Sequence, residues 1–203
     1  MNVVDNRQLG KEDRDILAKA QGPTAAVRQR VFLAAIRIVM RSNILALSYR
    51  SIGAEAECSH ETARKVGLNA IYRGLVRQAF TPLSLFIEAP GSLATRSEVD
   101  LYKDVLVALR RNSWTAKLVT QSTVFAGGSA VGLSDHGYTE TWRAIANLAV
   151  SAFRRDRAEH DNAEAIMFAD GLVSFYIGAA TQMMCEPDVD DIHLLSSLVV
   201  KTR

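Results

Sequence analysis

The feature that most constrains this chain is a pair of short segments, "YRSIGAEAEC" and "SHETARKVGLNAIYRGLVRQ", that meet at a tight turn around Cys58-Ser59. Ser48 is placed to cap the first segment, whose Ile52, Ala54 and Ala56 are apolar. In the second, Ala63, Val66, Gly67 and Ala70 share one side of a helical wheel with Ser59 at its edge. Glu61, Lys65, Leu68 and Tyr72 point the other way, flanked by Arg64 and Asn69. A helix that is narrowly apolar beneath and basic and polar above suits a DNA major groove, which admits one helix. A solvated surface helix carries the same kind of outer face. The bracing helix just before it favours the helix–turn–helix layout, in which the first helix supports and the second reads.

The charge distribution agrees. From Val27 to Phe80 there are nine basic residues and three acidic ones, a net of +6, which leaves −4 for the rest of a chain whose total is +2. One basic segment in a near-neutral chain fits a DNA binder with an acidic partner domain better than a general polyanion binder.

Around this segment the pattern is helical. Residues 1–24 form a polar arm with weak helical character at "KEDRDILAKA", ending at Gly22-Pro23. Thr24 is placed to cap a helix from Ala25 to Arg41, with Val31, Ala34, Ala35, Ile38 and Val39 recurring at three- and four-residue steps. "ILALS" reads as a short strand-like piece. Leu75 to Phe80 and Leu83 to Ile87, joined through Thr81-Pro82, read as a small hairpin. "EAPGSLATRS" marks a domain boundary. Helical patterns then cover Glu98 to Arg111 and about 114–126, 139–158, 162–184 and 189–200.

Ser59, Thr62, Lys65, Gly74, Leu75 and Val76 resemble the "S-x-x-T-V-x-R … G-L-V" pattern of MarR- and GntR-type winged-helix domains. The resemblance implies that Ser59 starts the recognition helix and that Thr62 and Lys65 face DNA. It also implies that Gly74-Leu75-Val76 turns the chain into the first strand of a wing carrying Arg77. The chain also resembles TetR-type regulators in size and in its all-helical C-terminal half. Their Tyr-x-His/Tyr-Phe run after the helix–turn–helix is replaced here by positions including Arg64, Val66 and Gly67, so the winged-helix reading leads.

The expected fold is therefore mainly α: an N-terminal winged helix–turn–helix (three helices plus a small β-hairpin wing) over residues 25–90, then an all-α domain over 97–203. The expected DNA-contact residues are Ser59, His60, Glu61, Thr62, Arg64, Lys65, Asn69 and Arg77, with Arg50 on the bracing helix.

The second half carries no recognised catalytic motif. Asp188, Asp190, Asp191 and His193 read as an acidic first helical turn after Pro187 rather than a metal site. His136 and His160 have no nucleophile placed by sequence, and "FAGGSAVGLSDHG" lacks the Lys-Ser/Thr of a phosphate cradle and reads as a flexible loop. Cys58 and Cys185 are too few for a disulfide framework, and Cys58 is expected in the core. No metal or cofactor is expected.

"AEAIMFADGLVSFYIGAATQMM" is apolar on more than one face and is the candidate dimer helix. The polar N-terminus lacks the core of a signal peptide and no apolar run approaches the roughly 18 residues of a membrane span, so a cytoplasmic location is expected. Expected partners are double-stranded DNA, a second copy of the chain and a small-molecule effector, with no membrane. The competing readings are a TetR-type ligand-responsive repressor, a winged helix used only for protein–protein contact, and an all-helical enzyme with a fortuitous basic helix.

Overall fold

The computed structural model describes residues 22–94, 97–111, 113–127, 137–157 and 161–188, together with Asp190. Among these residues all regular structure is helical. The α-helices are α1 (Ala25–Arg41), α2 (Tyr49–Glu55), α3 (His60–Val66), α4 (Leu68–Glu88), α5 (Glu98–Arg111), α6 (Ser113–Gly127), α7 (Tyr138–Asp156) and α8 (Asn162–Cys185). A 3-10 turn, Ile44–Ala46, lies between α1 and α2. The helical patterns at "KEDRDILAKA" and 189–200 lie outside the described residues. The chain divides into two compact units between Ile71 and Tyr72, within α4.

In the first unit local chemistry sets the element ends. Thr24 caps α1, its hydroxyl accepting from the Val27 N–H at 3.4 Å. The stripe buried by α1 is Val31, Ala34, Ala35, Ile38 and Val39, as the periodicity requires. Where a strand-like piece was expected, Asn43 Oδ1 accepts from the Ala46 N–H at 3.1 Å and winds Ile44–Ala46 into the 3-10 turn. Ser48 and Ser51 then form a reciprocal capping box that starts α2.

The expected β-hairpin wing is replaced by helix. Leu75–Phe80 and Leu83–Ile87 are successive turns of α4, which runs through both Gly74 and Pro82. Burial explains why. Leu75, Val76, Ala79, Phe80, Leu83 and Ile87 are all buried and recur at helical spacing. An interior glycine costs a helix about 1 kcal/mol, whereas burying each large side chain contributes about 1.5–3 kcal/mol. Pro82 removes the helical donor to Gln78 O, and the carbonyls on either side are held by side chains: Thr81 Oγ1 donates to Arg77 O at 3.0 Å and Tyr176 Oη to Ala79 O at 2.6 Å.

The second unit is organised on α8, against which α5, α6 and α7 pack. Tyr102 of α5 stacks on Phe175 with ring centroids 4.2 Å apart, and Phe153 of α7 meets Phe168 at 4.8 Å. Tyr176 is fully buried, with Phe80 beside it at 5.8 Å, and burial pushes its phenol far above the usual range. Among the described residues α8 is long and apolar enough to cross a membrane by length and composition, with a mean hydropathy of 1.3. Its apolarity has a local use, since Phe168, Leu172, Val173, Phe175 and Tyr176 are buried within this unit.

Residues 89–94 follow α4 inside the second unit, and the end of α7 pins them at Leu93. Asp156 accepts from the Leu93 N–H at 3.1 Å, and Arg157 Nε donates to Leu93 O at 2.8 Å. The bidentate partner Arg155 holds the Asp156 carboxyl below its ordinary value, the Leu93 N–H adding to this and burial opposing it.

Candidate functional site

Helices α2 and α3 meet across a turn closed by backbone geometry. The Cys58 N–H bonds to Gly53 O at 2.9 Å, and Glu57 takes a positive φ of 52°. A Cβ on Gly53 would lie 3.0 Å from Cys58 O and 3.1 Å from His60 N. Only glycine lets the second helix start this close to the first. Ala63 of α3 is fully buried, so a small residue is what the close packing requires. Cys58, expected in the core, is half-buried in the turn.

Ser59 caps α3: its Oγ accepts from the Thr62 N–H at 3.0 Å and lies 2.9 Å from Thr62 Oγ1. Both hydroxyls are thus engaged in starting the helix. Beyond them His60, Glu61, Arg64 and Lys65 are exposed, the Arg64 side chain by 67%. Glu61 Oε2 lies 3.7 Å from Arg64 Nη1. Among the described residues Lys65 has no ion-pair partner, nor has the exposed Arg50 of α2. Six of the sequence-predicted positions therefore lie at the start and on the exposed side of one short helix, Ser59 to Lys65, with Arg50 on the helix before it.

Asn69 is displaced from that helix. Gly67 ends α3 with φ +84°, and Asn69 is exposed on the first turn of α4. Gly67 is thus the stop of α3, not part of its apolar side. A Cβ there would touch nothing within 4 Å, so the requirement for glycine is conformational. Tyr49 of α2 faces this break, its hydroxyl accepting from the Leu68 N–H at 3.5 Å. Arg77, expected on a wing, lies on α4 in the second unit.

Sequence reading missed a clamp between α1 and α2. Glu55 takes both Arg41 and Arg37, the latter through Nε at 2.8 Å, while Arg37 Nη2 also reaches Glu55 O at 3.4 Å. Two of the nine basic residues in the +6 segment thus support α2. The Arg41 hydrogen bond, aided by Arg37 and opposed by partial desolvation, holds the Glu55 carboxyl below its ordinary value of 4.5. A depressed carboxylate adds stability that is complete above the unfolded value and is lost as pH falls through the folded one. The stability advantage of the native chain over Glu55→Gln is therefore expected to be constant above pH 4.5 and to close below it. Denaturant unfolding followed by far-UV circular dichroism checks this, and a pH-independent difference would contradict it.

The second unit contains a groove of about 390 Å³ between two helices. Arg77, Phe80, Thr81 and Ser84 of α4 line one wall, and Glu140, Thr141, Ala144 and Ile145 of α7 the other. Just before α7, Gly137, at φ +79°, lies against the Arg73 side chain: a Cβ on it would be 3.2 Å from Arg73 Cγ. Tyr138 meets Phe80 edge-on at 5.9 Å and is 3.0 Å from Thr123 Oγ1.

Among the described residues no three His, Cys, Asp or Glu side chains are grouped to hold a metal ion. Asp188 and Asp190 are exposed beyond α8. Asp191, His193, His136 and His160, and positions 128–136 of the glycine-rich loop, lie outside the described residues.

These features define a helical protein with a helix–turn–helix in its first unit and a helical second unit. The same fold is present in the crystal structure of the multidrug binding protein EbrR complexed with imidazole. The two chains are 18% identical, with a TM-score of 0.63 over 85% of this chain and 93% of that one. No family model and no curated protein matches the sequence.

Proposed function

We propose that the chain is a TetR-type transcriptional regulator: a homodimer that binds double-stranded DNA through α3 and responds to a small ligand held in its second unit. The observation that carries this reading is the short, exposed, basic α3, closed against α2 by Gly53 and followed after Gly67 by a long helix rather than a wing. That order fits a TetR-type regulator and removes the feature that favoured the MarR- and GntR-type reading. The shared fold with a multidrug binding protein supports a ligand-binding role for the helical half. In this reading Arg64 and Lys65 reach base edges or phosphates. Arg50 and Asn69 approach phosphates from the flanking helices, and His60 and Glu61 lie at the rim. Ser59 and Thr62 fix the helix that presents them.

Fluorescence anisotropy of the full chain with duplex DNA across a salt series tests the proposal. Each phosphate contact contributes a slope of about −0.9 in log affinity against log salt, so binding is expected to fall steeply as salt rises. Absence of binding at low salt, or binding indifferent to salt, would refute the DNA role.

A further inference from the structure

We propose that the groove between α4 and α7 binds a small amphipathic zwitterion, with an amino-acid-type head group and an apolar body; this names the ligand of the reading above. The two charged residues that line the groove have opposite signs. Among the described residues neither Arg77 nor Glu140 has an ion-pair partner, within the groove or outside it. They also belong at the same end. The stem of Arg73 lies against Gly137, Arg77 is one helical turn beyond Arg73, and Glu140 is three residues beyond Gly137.

Away from that end the lining becomes apolar, with Phe80 on one wall and Ala144 and Ile145 on the other. Phe80 is fully buried beneath the groove and held edge-on by Tyr138, so it backs a preformed wall whose accessible apolar surface comes from Ala144 and the edge of Ile145. A ligand carrying only a cation would meet an unmatched Arg77, and one carrying only an anion an unmatched Glu140. A head group with both charges satisfies the two together, while an apolar body covers the floor. The volume of about 390 Å³ lies toward the small end for ligand pockets.

Isothermal titration of the full chain at neutral pH with three probes tests this: L-phenylalanine, phenethylamine, which keeps only the cation, and 3-phenylpropanoate, which keeps only the anion. L-Phenylalanine is expected to bind at least about tenfold more tightly than either single-charge analogue, one charge contact being roughly that factor. Arg77→Gln should remove the preference over phenethylamine, and Glu140→Gln the preference over 3-phenylpropanoate. Both side chains are on the surface and have no ion pair among the described residues, and circular dichroism verifies that both variants fold. Equal binding of the three probes, no heat from any of them up to about 10 mM, or preferences unmoved by either substitution would overturn the inference. DNA binding is not read in this experiment. A chain that binds DNA but shows no zwitterion preference loses only this inference, and one that shows the preference without binding DNA loses only the regulator reading.

Discussion

Replacing Arg64 and Lys65 together with alanine is expected to weaken duplex DNA binding by at least about tenfold and to make the salt slope shallower by about one to two units for each protomer. Both side chains are exposed on α3, and alanine is the best helix former, so the helix itself survives. Its buried contact, Ala63, and its Ser59 cap are untouched. The two residues are not equivalent. Arg64 has Glu61 at 3.7 Å and must leave it to reach DNA, whereas Lys65 has no competing partner among the described residues. Lys65→Ala alone should therefore account for the larger part of the slope change. Glu61→Gln should move affinity in the opposite direction by releasing Arg64 and removing a charge that repels phosphate. Anisotropy titrations at several salt concentrations separate these effects. A folded double variant with unchanged affinity would show that α3 does not contact DNA.

What the sequence disclosed about the fold depended on how local the cause was. Thr24 and Ser48 accept hydrogen bonds within three residues of themselves, so the helix starts they set could be read directly. The burial stripe of α1 was equally plain. The wing was misread because two glycines exchanged roles. Gly67 was placed on the apolar side of the recognition helix and is its stop, whereas Gly74 was expected to turn the chain into a strand and is interior to α4. A glycine code letter does not reveal φ, and φ is what separates the two positions. The correcting signal was present in the spacing of Ile71, Leu75, Ala79, Leu83 and Ile87, an unbroken four-residue rhythm that crosses both Gly74 and Pro82. That rhythm outweighs two local breakers because burial is worth more than either costs. The groove was not legible at all. It depends on the register of α4 against α7, which brings Arg77 together with Glu140, 63 residues later in the chain. The same holds for Glu55, whose arginine partners lie 14 and 18 residues earlier on another helix.

Introducing glutamate at both Met167 and Ser174 is expected to convert a native dimer into a folded monomer. Helix–turn–helix regulators read two half-sites with two-fold symmetry, which calls for an interface of a surface with its own copy. In the second unit α8 buries Phe168, Leu172, Val173, Phe175 and Tyr176 against its own neighbours. Its opposite side leaves Ile166 47% exposed, Met167 74% and Met184 38%, with Ser174 exposed between them. Met167, Asp170 and Ser174 follow the three- and four-residue steps of one helical face, flanked by Ile166, and large apolar groups exposed around a single carboxylate mark an association surface. The face also decides which substitutions are informative. Ala179, in the last third of the candidate dimer helix, is fully buried within its own unit, so a charge there would disrupt folding and say nothing about assembly. Met167 and Ser174 are accessible in the single chain, and their replacement should leave its circular dichroism and unfolding midpoint nearly unchanged. Across a two-fold axis each new carboxylate would be buried without a partner and would face its own copy, at a cost of about 3–5 kcal/mol. Sedimentation velocity at micromolar concentration should show a dimer for the native chain and a monomer for the variant. A native chain that sediments as a monomer, or a doubly charged variant that stays dimeric, would remove α8 as the interface.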